Sequence, residues 1–152
     1  MSVKLSKYFS LAEFTKSQQA SRLGISNQPT PVHQKNMEEL CVNVLDKVRE
    51  QFGPIFLSSG YRSEAVNKKI GGSKTSQHCL GEAADIDMDG INDEIFHFIK
   101  DKLDFDQLIW EFGTSKEPDW VHVSYTNERK NRRQVLVAKK EGTKTVYIPY
   151  KK

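Results

Sequence analysis

The sequence has few cysteines and no long apolar stretch. Its 152 residues include two cysteines, Cys41 and Cys79, so at most one disulfide can form and a disulfide-stapled secreted scaffold is excluded. We interpret both as free thiols. No run of about 18 apolar residues occurs, which argues against a membrane-spanning helix. Residues 1–9 carry two lysines without a following apolar stretch, so we predict no secretory signal and a cytoplasmic location.

The sequence also lacks a strong excess of charge. Its formal net charge of +3 is too small to require a nucleic-acid partner, and we predict none. The clustered basic residues are Arg129, Lys130, Arg132, Arg133, Lys139, Lys140, Lys151 and Lys152. We interpret this cluster as a solvated basic face, and attraction to an anionic surface is the alternative.

Length and composition fit one ordinary domain, which we predict to span residues 1–152. The chain is 37% hydrophobic and 28% charged, a normal balance for a packed domain. A chain of this size can form a stable core without a metal. A metal bound to this chain would therefore indicate a functional role rather than a need to stabilise the fold.

Apolar periodicity predicts four helices. A capping serine with a glutamate three residues later begins a short helix at 10–14. Over 32–52, apolar residues recur at three- and four-residue steps, which predicts a long amphipathic helix. Two further helices are predicted at 64–70 and 92–103.

The remaining apolar or alternating runs predict strands, with a polar loop over 73–82. These strands lie at 55–59, 83–88, 107–112, 120–125, 134–138 and 144–148. Helices come mainly first and strands mainly last. This order favours an α+β fold, with helices packed on one face of a mostly antiparallel sheet.

The most informative segment runs from Ser76 to Asp85. In it, His78 precedes Asp85 by seven residues, and Gly81 lies between them. Zinc binds imidazole nitrogen and carboxylate oxygen, so its ligands must converge from more than one element. A loop that folds back on the following strand through Gly81 brings the two side chains together. We therefore predict that His78 and Asp85 bind zinc.

A third ligand is expected from another element, and the strand at 120–125 offers His122. Trp120 shares its face. Asp119 comes directly after Pro118, whose turn can direct the carboxylate toward the metal. Two histidines, one aspartate and an open fourth position are typical of a catalytic zinc site. His122 is the predicted third ligand and Asp119 the predicted general base.

These residues suggest hydrolysis by a metal-activated water. Zinc lowers the pKa of bound water to about 7, and Asp119 can accept the proton and return it to the leaving amine. Arg62 follows a predicted strand, where its guanidinium can hold a substrate carboxylate or carbonyl. Ser76 can bond to the substrate or orient a ligand. We assign Arg62 to both catalysis and substrate binding, and Ser76 to substrate binding.

These motifs resemble those of a known family. The pattern Ser-x-His-x-x-Gly-x-Ala-x-Asp at 76–85, with Trp-x-His at 120–122, is similar to that of the zinc D-Ala-D-Ala carboxypeptidases of the M15 peptidase family. The resemblance extends to phage endolysins that cut L-alanyl-D-glutamate bonds and to D-Ala-D-Ala dipeptidases of vancomycin resistance. The segment Phe9-Ser-Leu-Ala-Glu-Phe14 and the Ser-Gly-Tyr-Arg-Ser motif resemble a single-domain subgroup common in phages and prophages.

The resemblance implies a Hedgehog/DD-peptidase-like fold with a motif core at about 58–125. It also implies that zinc is held by His78, Asp85 and His122. Asp119 then serves as general base, and Arg62 binds the substrate. An aspartate at position 119 is more similar to the carboxypeptidase and endolysin branches than to the dipeptidases.

Several neighbouring residues receive a structural interpretation. Cys79 is interpreted as a bystander thiol, because the predicted ligand set leaves it no necessary role. His33 and His97 are interpreted as structural or exposed histidines. For Trp110 and Glu111 two interpretations stay open, since both residues can either line the substrate cleft or simply pack.

The predicted function is zinc-dependent hydrolysis of peptidoglycan stem peptides, at a D-Ala-D-Ala or an L-Ala-D-Glu bond, by a monomer. The alternative is a non-catalytic zinc-containing module that binds the cell wall. A nucleic-acid binder rests on the basic cluster alone. The predicted cytoplasmic location is compatible with release to the cell wall during phage lysis and equally with wall turnover or recycling.

Overall fold

A mixed β-sheet forms the centre of the fold. Within the residues that the computed structural model describes, 3–16, 24, 27–71 and 76–151, the sheet has six strands. In chain order they are β1 (Leu57–Ser59), β2 (Ala83–Ile86), β3 (Gln107–Glu111), β4 (Trp120–Ser124), β5 (Gln134–Glu141) and β6 (Lys144–Pro149). Their order across the sheet is β1-β2-β4-β3-β5-β6. Neighbours are antiparallel except for the parallel pair of β3 and β5.

Four α-helices and one 3-10 turn accompany the strands in the described part of the chain. They are α1 (Leu11–Thr15), α2 (Pro31–Leu40, continued by Cys41–Leu45 and Asp46–Phe52), α3 (Glu64–Lys69), the 3-10 turn (Gln77–Leu80) and α4 (Asn92–Lys102). The predicted α+β fold class is therefore confirmed. None of the helices described is long and apolar enough to span a bilayer.

One face of the sheet packs against α2 and α4. The buried residues on this face are Ala84, Ile86, Leu108, Trp110, Val121 and Val123. They share one core with Met37, Leu40, Val44 and Val48 of α2 and with Ile95, Phe96 and Ile99 of α4. Residues alternate along a strand, so the opposite face carries the paired residues Asp85, His122 and Ile109. The helices lie on one face, as predicted, and the other face is left for the site.

Side-chain caps set where the shorter helices begin. The backbone N–H of Ser10 donates to Glu13 Oε1 at 3.0 Å, which confirms the predicted capping interaction. At the start of α3, Ser63 Oγ accepts from the N–H of Val66 at 3.3 Å. These bonds satisfy N–H groups that have no partner within the helix.

Helix α2 departs from a regular amphipathic helix at its centre. The segment Cys41–Leu45 is π-helical, and the N–H of Asp46 donates to the carbonyl of Cys41. The wider turn keeps Val44, Leu45 and Val48 fully buried. A periodic pattern predicts the helix but does not show such a local widening, because both forms keep apolar residues on one stripe.

The stretch just before β2 is more ordered than its composition predicts. Residues 73–75 of the loop predicted at 73–82 lie outside the described residues, but Gln77–Leu80 is a 3-10 turn, so the loop prediction is wrong there. Ser76 Oγ accepts from the N–H of His78 at 3.2 Å, and Gly81 ends the turn at a φ of +76°. Short-range bonds of this kind organise polar segments that lack apolar periodicity.

Part of the predicted solvated basic face has a structural role. Asp106 is fully buried and accepts hydrogen bonds from Arg129 Nη1 at 2.7 Å and from Arg132 Nη2 at 2.9 Å. Burial alone would raise the pKa of Asp106, but the bonds from the two arginines outweigh it and hold that pKa below its usual range. Each of the two arginines keeps 47% of its side chain exposed, so both remain on a solvated face and also supply the donors that a buried carboxylate requires.

Candidate metal centre

Strands β2 and β4 bring Asp85 and His122 together. The two residues are direct partners in this antiparallel pair, so their side chains project from the same face of the sheet at adjacent positions. His122 Nδ1 lies 3.0 Å from Asp85 Oδ1. Two residues that are 37 apart in sequence thus become neighbours through strand pairing.

The 3-10 turn supplies His78. Its Nε2 lies 3.4 Å from Asp85 Oδ1, and its Nδ1 lies 2.7 Å from the carbonyl oxygen of Gly60. A carbonyl only accepts, so Nδ1 carries the proton and Nε2 keeps a free lone pair. Bonding of the second nitrogen to a carbonyl or carboxylate is the usual arrangement for a metal-binding histidine. With an exposed fraction of 2%, His78 has little freedom to turn away.

One nitrogen or oxygen atom from each of His78, Asp85 and His122 lies within 4.8 Å of the others. Burial alone would raise the pKa of Asp85, but the adjacent His78 and His122 outweigh it and hold that pKa below its usual range. The carboxylate is therefore ionised and available as a ligand. Two imidazoles and one carboxylate that converge at this spacing suit a zinc-type cation with an open position. The structure thus brings together all three predicted ligands.

Arg62 and Ser76 form a second group beside His78. Arg62 Nη2 donates to Ser76 Oγ at 3.3 Å, and the backbone N–H of Arg62 donates to the carbonyl of His78 at 3.1 Å. Arg62 Nε is buried and has no hydrogen-bond partner among the described residues. A buried N–H group of a charged side chain that lacks a hydrogen-bond acceptor lowers the stability of the fold. Both predicted substrate-binding residues therefore lie next to the candidate centre, and the Nε of Arg62 can still donate a hydrogen bond to a ligand.

Asp119 lies directly before β4, three residues from His122. Its backbone N–H donates to the carbonyl of Glu111 at 2.8 Å, and its own carbonyl accepts from Asn92 Nδ2 at 3.2 Å. The residue is exposed and lines a cavity together with Trp120. The segment is held by its backbone. The residues that line this cavity do not include His78, Asp85 or His122, so the role of Asp119 as general base stays a prediction.

The sequence leaves the roles of Trp110 and Glu111 open, and the structure places their side chains on opposite faces of the sheet. Trp110 points into the core, where its ring lies 5.1 Å from that of Phe96. Glu111 pairs with Trp120 of β4 and projects from the same face as His122. Burial raises its pKa to about 7; the charge of His122 opposes this rise and that of Asp85 adds to it. Glu111 therefore belongs to the site. The alternation of residues along β3 indicates this only once β4 is known to be the neighbouring strand.

The other histidines and Cys79 take structural positions. His33 Nδ1 lies 3.1 Å from the hydroxyl of Tyr61, and the ring of His97 packs against that of Phe96 at 5.4 Å. Burial raises the pKa of the Cys79 thiol, so it stays protonated and a poor nucleophile. These positions agree with the structural interpretation of all three residues.

An α+β domain with a His-Asp-His centre on its open sheet face defines a candidate metal-dependent enzyme. A family model described as Peptidase M15 matches residues 7–124, and the chain therefore belongs to the M15 peptidase family. Membership makes it a metal-dependent peptidase with a peptidoglycan-type substrate. No curated protein matches the chain. The matched residues end with β4, so β5 and β6 lie beyond them.

Proposed function

We propose that the protein is a zinc peptidase that cleaves peptidoglycan stem peptides at a D-Ala-D-Ala or an L-Ala-D-Glu bond. His78, Asp85 and His122 would hold the metal. The observation that carries this proposal is the convergence of their three ligand atoms within 4.8 Å, with His78 Nδ1 bonded to Gly60. These three side chains project from the face of the sheet opposite the packed core, so core packing does not explain why they converge.

Each remaining residue of the site has a defined task in this proposal. Zinc, when bound, supplies a Lewis acid that polarises the scissile carbonyl and acidifies water. Asp119 accepts the proton of the attacking water and later delivers it to the leaving amine. Arg62 binds a carboxylate or carbonyl of the substrate through its guanidinium, whose Nε is unpaired among the described residues. Ser76 orients Arg62 through their hydrogen bond.

Cleavage of defined stem peptides tests the proposal. We expect the zinc-loaded protein to release terminal D-alanine, or to split the peptide after L-alanine, and mass spectrometry distinguishes these products. Asp119→Asn should lower the rate about 100- to 10,000-fold because the general base is lost. Asp89→Asn is the matched control, since Asp89 is exposed and lines the same cavity, and it should leave the rate unchanged.

Two results would count against the proposal in different ways. Absence of any mass change with every stem peptide would reject peptidase activity, and binding of cell wall without cleavage would then favour a non-catalytic wall-binding module. Full activity of Asp119→Asn would leave the peptidase assignment intact and reject the role of Asp119.

A further inference from the structure

Glu111 carries a buried carboxylate on the sheet face of the candidate metal centre. Its exposed fraction is 7%. No described residue forms a hydrogen bond or ion pair with its carboxylate, whose oxygens are not among the fully buried unpartnered atoms and so still reach solvent. A largely buried carboxylate that has no partner in the protein is incompletely solvated, and this raises the free energy of its charged form. Groups of this kind are concentrated at sites where a ligand supplies the missing partner.

Glu111 and Arg62 lie on opposite sides of the centre. Arg62 follows β1, the metal ligands Asp85 and His122 lie on β2 and β4, and Glu111 lies on β3, in the strand order β1-β2-β4-β3. A peptide that crosses the strands over the metal therefore meets a cation on one side and an acid on the other. This polarity suits a substrate with a carboxylate toward Arg62 and a positive group toward Glu111.

Tyr147 of β6 extends the acidic side of the face. The strand register places Glu111 beside Ala138 of β5, and Ala138 beside Tyr147. Glu111 and Tyr147 therefore project from the same face of the sheet, two strands apart, with only the small side chain of Ala138 between them. Burial raises the pKa of Tyr147, and the negative charges of Glu111 and Asp85 raise it further, so the hydroxyl stays protonated. Tyr147 is 54% exposed and hence accessible to a ligand.

We propose that Glu111 and Tyr147 form a subsite for an ammonium group of the substrate. The carboxylate binds the charge, and the hydroxyl accepts a further N–H. Neighbouring strands lie about 4.8 Å apart and an extended peptide advances about 3.5 Å per residue, so the ammonium lies roughly one to three residues from the scissile bond. The inference rests on the proposed function and assigns a specificity role to β5 and β6, which the family match does not cover.

Binding measured without cleavage tests the subsite. The Asp119→Asn protein, loaded with zinc, is titrated calorimetrically with stem peptides that carry a free side-chain amine, a free N-terminal amine, both, or neither, the blocked amines being acetylated. We expect the doubly acetylated peptide to bind about 10- to 100-fold more weakly, the range for a lost hydrogen bond to a charged group. The singly blocked peptides identify which amine is bound.

Variants in the same background show whether Glu111 is responsible. Glu111→Gln should abolish the difference between free and acetylated peptides, and Tyr147→Phe should reduce it. Glu141→Gln is the matched control, since Glu141 is exposed at the far end of β5, and it should preserve the difference. Zinc content and the unfolding midpoint of each variant show that the fold is retained.

Three outcomes would overturn the subsite: equal binding of all peptides, an undiminished preference in Glu111→Gln, or an equal loss of affinity for every peptide in that variant. Failure of the proposed function is a separate result, because it appears as the absence of cleavage by the wild-type protein. A preference for the free amine that depends on Glu111 would support the subsite even then.

Discussion

Asn92 is a buried amide that joins the end of β2, the start of α4 and the segment before β4. Its Nδ2 donates to Asp87 Oδ1 at 3.0 Å and to the carbonyls of Pro118 and Asp119 at 3.3 and 3.2 Å. Its Oδ1 accepts from the N–H of Met88 at 2.7 Å. With 1% exposure, the side chain has no alternative partner in water. It therefore holds the backbone that carries the candidate base.

We expect Asn92→Asp to lower the free energy of unfolding by roughly 1–3 kcal/mol, because a carboxylate cannot donate and would face three acceptors. Cleavage should slow as well, since the segment of Asp119 loses its anchor. Urea unfolding at neutral pH measures the first effect, and initial rates on the preferred stem peptide measure the second.

Asn127→Asp is the matched control for this substitution. Asn127 is exposed, so the same chemical change there should stay within about 0.5 kcal/mol of wild type. If Asn92→Asp proved as stable as Asn127→Asp, the amide would not hold the segment as inferred.

At the residue scale, local spacing determines what a sequence predicts. His78 and Asp85 belong to one short motif, so their convergence requires only a turn at Gly81. Asn92 gives no comparable signal, because an asparagine at the start of a helix is commonly a cap. Two of its partners, Pro118 and Asp119, lie 26 and 27 residues away in sequence, and no periodic pattern indicates a contact at that distance.

The 3-10 turn that carries His78 depends on the glycine at its end. Gly81 has a φ of +76°, and a Cβ atom there would lie 2.3 Å from the carbonyl oxygen of His33. That oxygen belongs to the first turn of α2, which cannot move without disturbing the core. The close approach therefore fixes the distance between the turn and α2, and with it the position of His78.

We expect Gly81→Ala to weaken zinc binding and to destabilise the protein. The left-handed conformation alone costs about 1–2 kcal/mol for alanine, and the clash with His33 adds to it. Gly142→Ala provides the control, because Gly142 has a φ of +64° with no atom within 4 Å. Thermal unfolding and zinc titration should show a small stability loss with normal zinc affinity in the control and losses of both in Gly81→Ala.

A zinc affinity of Gly81→Ala equal to that of Gly142→Ala would contradict the role of this contact. The comparison is informative because both substitutions carry the same backbone cost and only one has a steric clash.

At the element scale, the positions of helices and strands follow from sequence better than their arrangement does. The alternation of Trp120 and His122 predicts β4, and the pattern at 83–88 predicts a strand that contains Asp85. Nothing in either segment shows that β4 lies between β2 and β3. That order depends on long-range packing against α2 and α4, and it is what brings Glu111 to the site.

At the scale of the whole molecule, the core and the candidate metal centre lie on opposite faces of one sheet. The core contains side chains from α2, α4 and the strands, whereas the three ligands project from the other face. Folding therefore does not require the metal, in agreement with the size of the chain. The metal should instead add stability to a protein that is already folded.

We expect the protein in chelator to unfold cooperatively and zinc to raise its stability by mass action. A zinc concentration 100 times the dissociation constant should add about 2.7 kcal/mol, because zinc binds the folded state in preference to the unfolded one. Thermal unfolding against zinc concentration measures this increment. His122→Ala should abolish it, whereas His97→Ala should preserve it, since His97 packs against Phe96 within the helical layer. An equal increment in both variants would place the metal elsewhere.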